Sequence, residues 1–170
     1  MKLPGKKDKK EDGLILGIDP GSIYCGYGLV RKTKNNECLY VSSGRIGMTS
    51  GAPLARRLAE LFEGLSEVVT EFSPQACAVE KIFFAKSVRS ALSLGHARGI
   101  ALLAGAMGGL PVYEYSALEV KKAVTGYGRA GKSQVQEMVK RLLDLSFSPS
   151  TDGADALALA LCHLQRFNLP

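Results

Sequence analysis

The chain has 170 residues, of which 46% are hydrophobic and 22% are charged, and its formal net charge is +6 at pH 7. These values are typical of a single folded globular domain and exclude an intrinsically disordered chain. No apolar run reaches the roughly 18 residues that a membrane-spanning helix requires. The lysine-rich start, MKLPGKKDKKED, lacks the apolar segment of a secretory signal. We therefore expect a cytoplasmic protein with a mobile basic arm over residues 1–12, followed by one domain over residues 13–170.

Hydrophobic periodicity predicts an alternating order of strands and helices along this domain. Short apolar or β-rich runs predict strands at residues 14–18, 24–30, 38–48, 76–79 and 112–115. Helical spacing, together with helix start and stop signals, predicts helices at residues 53–72, 87–107, 117–124, 133–145 and 155–167. Three strands followed by helices that alternate with further strands are typical of a mixed α/β sheet with helices on both faces.

The cysteines and histidines do not indicate a metal site. Widely spaced cysteines without a Cys-x-x-Cys pair fit buried free thiols in a reducing compartment, and the chain has four of them: Cys25, Cys38, Cys77 and Cys162. His96 and His163 have no ligand spacing with each other or with a cysteine, so we expect them to be structural or exposed.

Basic residues are concentrated in the middle third of the chain. Residues 81–136 carry eight basic and two acidic residues, which equals the whole net charge of +6. A one-signed segment in a folded domain indicates a surface that binds a polyanion. A basic face that is simply solvated remains the alternative.

Four acidic residues interrupt the apolar pattern at positions where α/β proteins build their sites. Asp19 and Glu80 each end a predicted buried strand, at its carboxyl end. Asp152 and Asp155 lie three residues apart at the start of the last helix, which places them on one face. Local alternatives exist, because Asp19 fits a turn, Glu80 could meet Lys81 in solvent, and Asp152 could cap the helix.

Two strand ends and one helix start can meet at one edge of a sheet, and four converging carboxylates would repel each other strongly. Bound cations relieve such repulsion, and all-oxygen ligand sets select hard ions such as Mg²⁺ or Mn²⁺. Two such ions, about 3.5–4 Å apart, can activate a water and stabilise the leaving oxygen of a phosphodiester. Acids beside a basic surface therefore predict metal-dependent hydrolysis of nucleic acid.

A glycine-rich segment at residues 126–133, GYGRAGKS, matches the phosphate-binding loop pattern G-x-x-x-x-G-K-[ST]. That loop requires an apolar strand before it, whereas the preceding residues, LEVKKAVT, include adjacent lysines. A basic loop that contacts a nucleic-acid backbone therefore fits better than a nucleotide site.

Four stretches of the chain resemble the RuvC family of bacterial Holliday-junction resolvases. They run in order from residue 14 to residue 163, and they read LILGIDPGSIYCGYGLV, AVEKIFFAKSVRSALSLGHARGIAL, KKAVTGYGRAGKSQVQ and DGADALALALCH. The resemblance implies a ribonuclease-H-like fold with a five-stranded mixed sheet flanked by helices. It also implies a homodimeric endonuclease that nicks two opposing strands of a four-way DNA junction symmetrically and leaves 5′-phosphate and 3′-hydroxyl ends. The implied cofactor is Mg²⁺, two ions per site with Mn²⁺ as a substitute, and the implied partners are the junction DNA and the RuvA and RuvB junction-migration proteins.

Matched to the motifs of this family, the four acids become its catalytic and metal-binding residues: Asp19, Glu80, Asp152 and Asp155. The resemblance implies that Asp19 bridges the two metal ions, while Glu80 and Asp155 complete their ligand shells. Some relatives carry histidine at the position of Asp152, where this chain keeps aspartate.

The resemblance also assigns DNA contacts. Phe83 matches an aromatic residue that stacks on a base near the junction centre, although core packing beside Phe84 is the alternative. Lys121 and Lys132 match lysines of DNA contact and phosphate stabilisation, so Lys132 also joins the catalytic residues. Further contacts with the DNA backbone are expected from four more basic residues: Lys86, Arg89, Arg98 and Arg129.

The helix predicted at residues 87–107 is the candidate dimer face, because it carries the small residues Ala97, Gly99, Ala101, Ala104 and Gly105. Two identical subunits would present two sites related by a two-fold axis, which resembles the symmetry of a four-way junction. Packing of this helix within one subunit remains the alternative.

Two other classes of function stay open. A nucleotide hydrolase of the actin or sugar-kinase type also has Asp and Gly after a strand, but that fold needs two such domains and 170 residues are too few. A junction-binding module without catalysis would gain nothing from four acids placed near phosphates.

Overall fold

The structure, a computed structural model, describes residues 13–81 and 87–166. Its strands are β1 (Gly13–Asp19), β2 (Tyr24–Lys32), β3 (Cys38–Gly47), β4 (Ala76–Glu80) and β5 (Val112–Tyr115). Its helices are α1 (Leu54–Phe72), α2 (Val88–Met107), α3 (Ala117–Thr125), α4 (Lys132–Leu142) and α5 (Thr151–Arg166). The predicted alternation of elements is confirmed within these ranges. Phe83, Lys86 and the arm expected at residues 1–12 lie outside the described residues.

The strands form one mixed sheet in the order β3-β2-β1-β4-β5. β2 pairs antiparallel with both β1 and β3, whereas β4 pairs parallel with both β1 and β5. The polar segment between β2 and β3 is a tight connection, closed by a hydrogen bond of 2.9 Å from the Thr33 amide to the Glu37 carbonyl. The five-stranded mixed sheet implied by the resemblance is therefore confirmed.

Side chains of each strand alternate between two cores, one on each face of the sheet. On β1, Leu16 and Ile18 pack with α1 and α2, whereas Ile15 packs with α3, α4 and α5. The same alternation directs Asp19, at the end of β1, to the face that α5 covers. Helices therefore cover both faces, as predicted.

The last helix begins earlier than the sequence predicts. α5 starts at Thr151 rather than at residue 155, because the Ser150 hydroxyl accepts a hydrogen bond of 3.2 Å from the Gly153 amide and caps the first turn. Glycine is a poor helix former, so Gly153 disguises this start in the sequence. The earlier start places Asp152 in the first turn of α5 and Asp155 directly after it.

Helix α4 also begins and ends earlier in the chain than the sequence predicts. α4 begins at Lys132 and ends at Leu142, where the prediction was residues 133–145. The helix stops because Asp144 adopts a left-handed backbone conformation with φ at 48°.

Glycines let α5 lie directly on the sheet. A Cβ atom added at Gly17 would lie 1.9 Å from the Ala156 carbonyl oxygen. One added at Gly26 would lie 2.2 Å from the Asp152 carbonyl oxygen, and one added at Gly28 would lie 2.6 Å from the Leu157 amide nitrogen. No side chain larger than hydrogen fits at these points. The first turns of α5 are thereby held against β1 and β2, close to the end of β1.

The small residues of α2 do not form a free dimer face. Ala97, Ala101 and Ala104 are buried in the core on the α1 side of the sheet, and Gly105 packs against Cys77, 2.7 Å from an added Cβ. Of the five small residues proposed for the interface, Gly99 alone is exposed. The assignment of these small residues to an interface is therefore wrong, because they let helix α2 approach its own sheet closely, within one subunit. The use of α2 as a dimer face stays a prediction.

Three of the four cysteines, Cys25, Cys77 and Cys162, are buried, Cys38 is half-buried, and all four are free thiols. His163 is buried as well, and its Nδ1 lies 2.8 Å from the Tyr115 hydroxyl. In the described parts of the chain, no helix combines the length and apolar character needed to cross a membrane.

Candidate active site

Two parallel strands bring Asp19 and Glu80 side by side. β1 and β4 pair with Ile18 opposite Val79, so Asp19 and Glu80, the last residues of these strands, lie side by side at the same edge of the sheet. Asp19 and Glu80 share the α5 face, and their carboxyl groups lie close enough for each to affect the pKa of the other. Repulsion between two carboxylates this close favours a proton on one of them.

The environment of the pair favours retention of this proton. The pKa of Asp19 is raised from its ordinary value of 3.8 to about 8, first by burial and then by the negative charges of Glu80 and Asp155, with Lys132 acting in the opposite direction. Burial also raises the pKa of Glu80, against the opposing effects of the Asp19 hydrogen bond, Lys132 and Lys121. The nearby lysines therefore do not fully neutralise the negative charge of the acids at the ends of β1 and β4.

The N-terminal part of α5 and the start of α4 add a third carboxylate and an ammonium. The Nζ atom of Lys132 lies 2.6 Å from Oδ2 of Asp155. This hydrogen bond raises the pKa of Lys132, burial opposes it, and the charges of Asp155, Asp19 and Asp152 support it. Lys132 therefore remains positively charged and partly neutralises the acids.

The backbone of Asp152 lies close to these residues. Its carbonyl oxygen packs against Gly26, the residue that pairs with Asp19 across β1 and β2. The negative charge of Asp152 helps to raise the pKa of Lys132. It also contributes to the raised pKa of Cys25, about 12, which is due first to burial and then to the charge of Asp19. Asp152 thus lies over β2, beside the residue that pairs with Asp19.

A cavity of about 760 Å³ opens at the acids. Three of them, Asp19, Glu80 and Asp155, line it, and three lysines line it as well: Lys81, Lys121 and Lys132. Asp152 is not part of this wall. The remaining wall is mainly apolar and includes Leu94, Leu118, Val120, Val135 and Leu159. A concave site with a few convergent charged groups is typical of an active site.

The donor set of the cluster fits a hard divalent cation. Carboxylate oxygens are the ligands that Mg²⁺ and Mn²⁺ prefer, and the raised pKa of Asp19 shows negative charge that such an ion would neutralise. Among the described residues, no three Asp, Glu, His or Cys side chains stand in the arrangement of a formed metal site. In this structure Asp155 is paired with Lys132 instead.

The other predicted DNA contacts are placed in different surroundings. Lys121 lines the cavity, and Arg129 is exposed in the loop that precedes Lys132. Arg89 is exposed on a separate groove between the starts of α1 and α2. Arg98 is held within the chain, because its Nε donates to Oε1 of Glu114 at 2.7 Å. Phe83 and Lys86 fall outside the described residues.

The glycine-rich segment is a connection between two helices. α3 ends at Thr125, Gly126 closes it in a left-handed conformation with φ at 77°, and α4 begins at Lys132. A nucleotide-binding loop of this pattern follows a strand, so that alternative is excluded here. The loop instead delivers Lys132 to Asp155.

One contributor to the site was missed in the sequence. Arg57 on α1 reaches the turn that follows Asp19, where its guanidinium donates a hydrogen bond to the Ser22 carbonyl. The signal was available, because Arg57 lies four residues before the buried Leu61 and therefore on the apolar face of an amphipathic helix. A cation on that face indicates a specific polar partner.

The sheet order, the helices on both faces, and the acids at the ends of β1 and β4 and at the start of α5 define a ribonuclease-H-like nuclease domain. The family model described as crossover junction endodeoxyribonuclease RuvC matches residues 15–163. The protein of that name from Syntrophotalea carbinolica is 54% identical over 155 residues, which cover 91% of this chain and 96% of the relative. Its counterpart from Geobacter metallireducens is 51% identical over 149 residues, which cover 88% and 90%. The chain therefore belongs to the RuvC family, whose nucleases depend on divalent metal.

Solved structures agree with this assignment. Thermus thermophilus RuvC in complex with a Holliday junction substrate matches with a TM-score of 0.82 and 34% identity, covering 88% of this chain and 92% of that one. The yeast mitochondrial Holliday junction resolvase Ydc2, at 16% identity and a TM-score of 0.62, covers 87% of this chain and 76% of its own, and it shares the fold. The ribonuclease-H-like architecture expected from the sequence is confirmed.

Proposed function

We propose that this protein is a crossover junction endodeoxyribonuclease that resolves Holliday junctions by metal-dependent hydrolysis of phosphodiester bonds. The observation that carries this conclusion is the convergence of Asp19, Glu80 and Asp155 with Lys132 on one cavity, in a chain of the RuvC family. Paired symmetric nicks with 5′-phosphate and 3′-hydroxyl ends, made in DNA recombination and repair, are part of the proposal.

We assign catalysis to Asp19, Glu80, Asp152, Asp155 and Lys132. The four carboxylates would hold two Mg²⁺ ions, with Mn²⁺ as a substitute, and these ions would supply an activated water and stabilise the leaving oxygen. Because the pKa of Asp19 is raised to about 8, this carboxyl group would have to lose its proton before it could act as an anionic ligand. Lys132 carries the positive charge that favours binding of a phosphate at the cavity.

The DNA surface extends from the cavity over α3 and the loop before α4. Lys121 and Lys132 would contact phosphates near the cut, and Arg129 would contact the backbone further along. Phe83, Lys86 and Arg89 are proposed as further contacts from the start of α2 and the segment before it. Substitution of Phe83 by Ala should lower cleavage with little loss of affinity, whereas a large drop in Tm would indicate a core residue instead.

A homodimer is the proposed assembly, through the outer side of α2. Four apolar side chains, Val88, Leu92, Leu103 and Met107, are between 47% and 78% exposed, and helical spacing places them in one stripe opposite the buried alanines. Gly95 and Gly99 lie within the stripe, with no atom within 4 Å of an added Cβ, which leaves room for close approach of a second helix. An isologous dimer through this stripe would present two active sites related by a two-fold axis.

Further parts of the proposal concern partners, location and domain organisation. Four-way junction DNA is the proposed substrate, and the RuvA and RuvB junction-migration proteins are the proposed protein partners. The free thiols support a reducing compartment, so the cytoplasm is the proposed location. Residues 13–170 are proposed as the nuclease domain and residues 1–12 as a basic arm.

The experiment is incubation of the protein with a synthetic four-way junction, with Mg²⁺ or with a chelator, read on a denaturing gel. Symmetric nicks in two opposing strands, dependent on the metal, are expected. Binding without cleavage at any metal concentration would favour the alternative of a junction-binding module that has lost its catalysis.

A further inference from the structure

One row of paired residues crosses the sheet from the acids to its β3 edge. Asp19 on β1 pairs with Gly26 on β2, and Gly26 pairs with Arg45 on β3. Directly paired residues share a face, so Arg45 lies on the α5 face, about 10 Å from Asp19 across two strand spacings. Asp152 packs over the glycine between them. Arg45 is therefore a cationic neighbour of the acids on the β3 side, opposite Lys121, whose helix follows β5 at the other edge.

The Tyr24 ring holds the side chain of Arg45. The guanidinium carbon of Arg45 lies 4.3 Å from the centroid of the Tyr24 ring. That ring lies across β3 at Gly47, 3.4 Å from an added Cβ, because Tyr24 pairs with Gly47. Both Tyr24 and Arg45 are exposed. In the parts of the chain that the structure describes, Arg45 makes no ion pair with a carboxylate.

A DNA strand that crosses the acids must continue on both sides of them. On one side it meets the cavity that Lys121 and Lys132 line. On the β3 side the negative charge of Asp152 opposes the next phosphates, and Arg45 is the cation positioned to offset it. A guanidinium can bind a phosphate with two parallel hydrogen bonds, and its stacking on an aromatic ring restricts the orientations that it samples.

We propose that Arg45, held by Tyr24, binds a backbone phosphate next to the scissile one and thereby sets which phosphodiester lies over the acids. The ligand is the sugar-phosphate backbone of the cleaved strand, and Arg45 is a positioning residue outside the catalytic set. The inference rests on the proposed function, because it requires that DNA is cut at the acids.

The first test measures junction affinity as a function of salt concentration, in chelator so that the DNA stays intact. Loss of one phosphate contact lowers the slope of log affinity against log salt by about 0.7–0.9. Arg45→Ala should show this decrease together with a three- to tenfold loss of affinity, and Arg45→Lys should retain the slope. Tyr24→Phe should behave as the unmodified protein, and Tyr24→Leu should lose part of the affinity. Arg141→Ala is the matched control, because Arg141 is an exposed arginine in the last turn of α4.

The second test identifies the phosphate. Single phosphates around the cut are replaced in turn by neutral methylphosphonates, and affinity is measured for the unmodified protein and for Arg45→Ala. At one position next to the scissile phosphate, neutralisation should weaken the unmodified protein but leave Arg45→Ala unchanged. On unmodified DNA with Mg²⁺, the same variant should spread its cuts to a neighbouring phosphodiester.

The outcomes separate this inference from the function on which it rests. If the unmodified protein cuts the junction, but Arg45→Ala keeps the full salt slope and responds to every methylphosphonate as the unmodified protein does, the assignment of Arg45 is wrong and the nuclease function stands. If the unmodified protein neither binds nor cuts the junction, the proposed function itself fails. A drop in Tm of Arg45→Ala with an unchanged salt slope would show a structural role and overturn the proposal.

Discussion

The ammonium of Lys132 lies 2.6 Å from the carboxylate of Asp155 and joins the start of α4 to the N-terminal part of α5. The contact adds a cation to the acidic cluster, close to Asp19, whose pKa is raised to about 8. The Lys132 side chain remains 60% exposed, so it can reach a phosphate in the cavity and still contact Asp155. The two residues therefore belong to one charge-compensated site.

Substitution of Lys132 by Ala should lower the rate of junction cleavage by about 10²–10³-fold, because the site loses a positive charge that stabilises negative charge on the reacting phosphate. The free energy of unfolding should change by less than about 1 kcal/mol, since the ion pair is largely exposed. Single-turnover cleavage and urea denaturation measure the two effects. Lys122→Ala, an exposed lysine on α3, is the control, and equal rate losses in both variants would contradict a specific role of Lys132.

Substitution of Asp19 by Asn should abolish cleavage while preserving or tightening junction binding. The change removes a proposed metal ligand and, where Asp19 is ionised above about pH 8, also a negative charge that repels phosphate. A denaturing gel and a fluorescence-anisotropy titration on the same junction give the two readouts. Unchanged nicking by this variant would refute the assignment of the acids.

The stability of the metal-free protein should depend on pH through Asp19. The pKa of this group is about 8 in the folded chain against an ordinary 3.8, so between these values the folded state binds the proton that the unfolded state has lost. Stability therefore falls as pH rises through this window and falls no further above it. The pKa of His163 is lowered by burial to about 4, from 6.5, and its contribution runs in the opposite direction below pH 6.5.

Comparison with Asp19→Asn distinguishes the effect of Asp19 on stability from that of His163. In chelator, the Tm of the variant should exceed that of the unmodified protein by a few degrees at pH 8, and the difference should shrink toward pH 5. Mg²⁺ should raise the Tm of the unmodified protein more than that of the variant. A Tm difference that is independent of pH would show that Asp19 is ionised throughout.

Substitution of Gly26 by Ala should impair cleavage beyond its effect on folding. The new methyl group would come within 2.2 Å of the Asp152 carbonyl, which forces the first turn of α5 away from β2 and costs about 1–3 kcal/mol of stability. Gly28→Ala is the matched control, because its methyl group would meet Leu157, one turn further along α5. Both variants should lose stability, and Gly26→Ala should show the larger loss of cleavage rate at a temperature where both are folded. Equal cleavage rates in the two variants would show that the position of Asp152 does not affect catalysis.

Substitution of Leu92 and Leu103 by Glu should convert the proposed dimer to a monomer, because two charges would enter the apolar stripe of α2. Sedimentation velocity measures the state, and Leu142→Glu on α4, another exposed apolar position, is the control. The monomer should nick junctions without pairing the two cuts. A variant that still sediments as a dimer would place the interface elsewhere.

Much of the site could be predicted from sequence because its signals are local. Asp19 and Glu80 end apolar runs, and the alternation of side chains along each strand places both on one face. The start of α5 was misjudged, since Gly153 hides a cap that depends on the Ser150 side chain. Ala97, Ala101 and Ala104 of α2 pack in the chain's own core and not at a free surface. The sequence does not distinguish these cases, because small residues suit close packing against a sheet as well as against a second helix.

The sequence by itself determined the order of strands and helices, the acids at the strand ends and the basic middle third, because each of these depends on neighbours along the chain. Only the tertiary structure decided that Lys132 meets Asp155, that Asp152 packs over Gly26, and that Arg45 stands in the same row as Asp19. These relationships depend on strand order and register, which are fixed by contacts between residues far apart in the chain. A periodic pattern predicts which side of a strand or helix is buried, but it does not predict which residue of another element that side contacts.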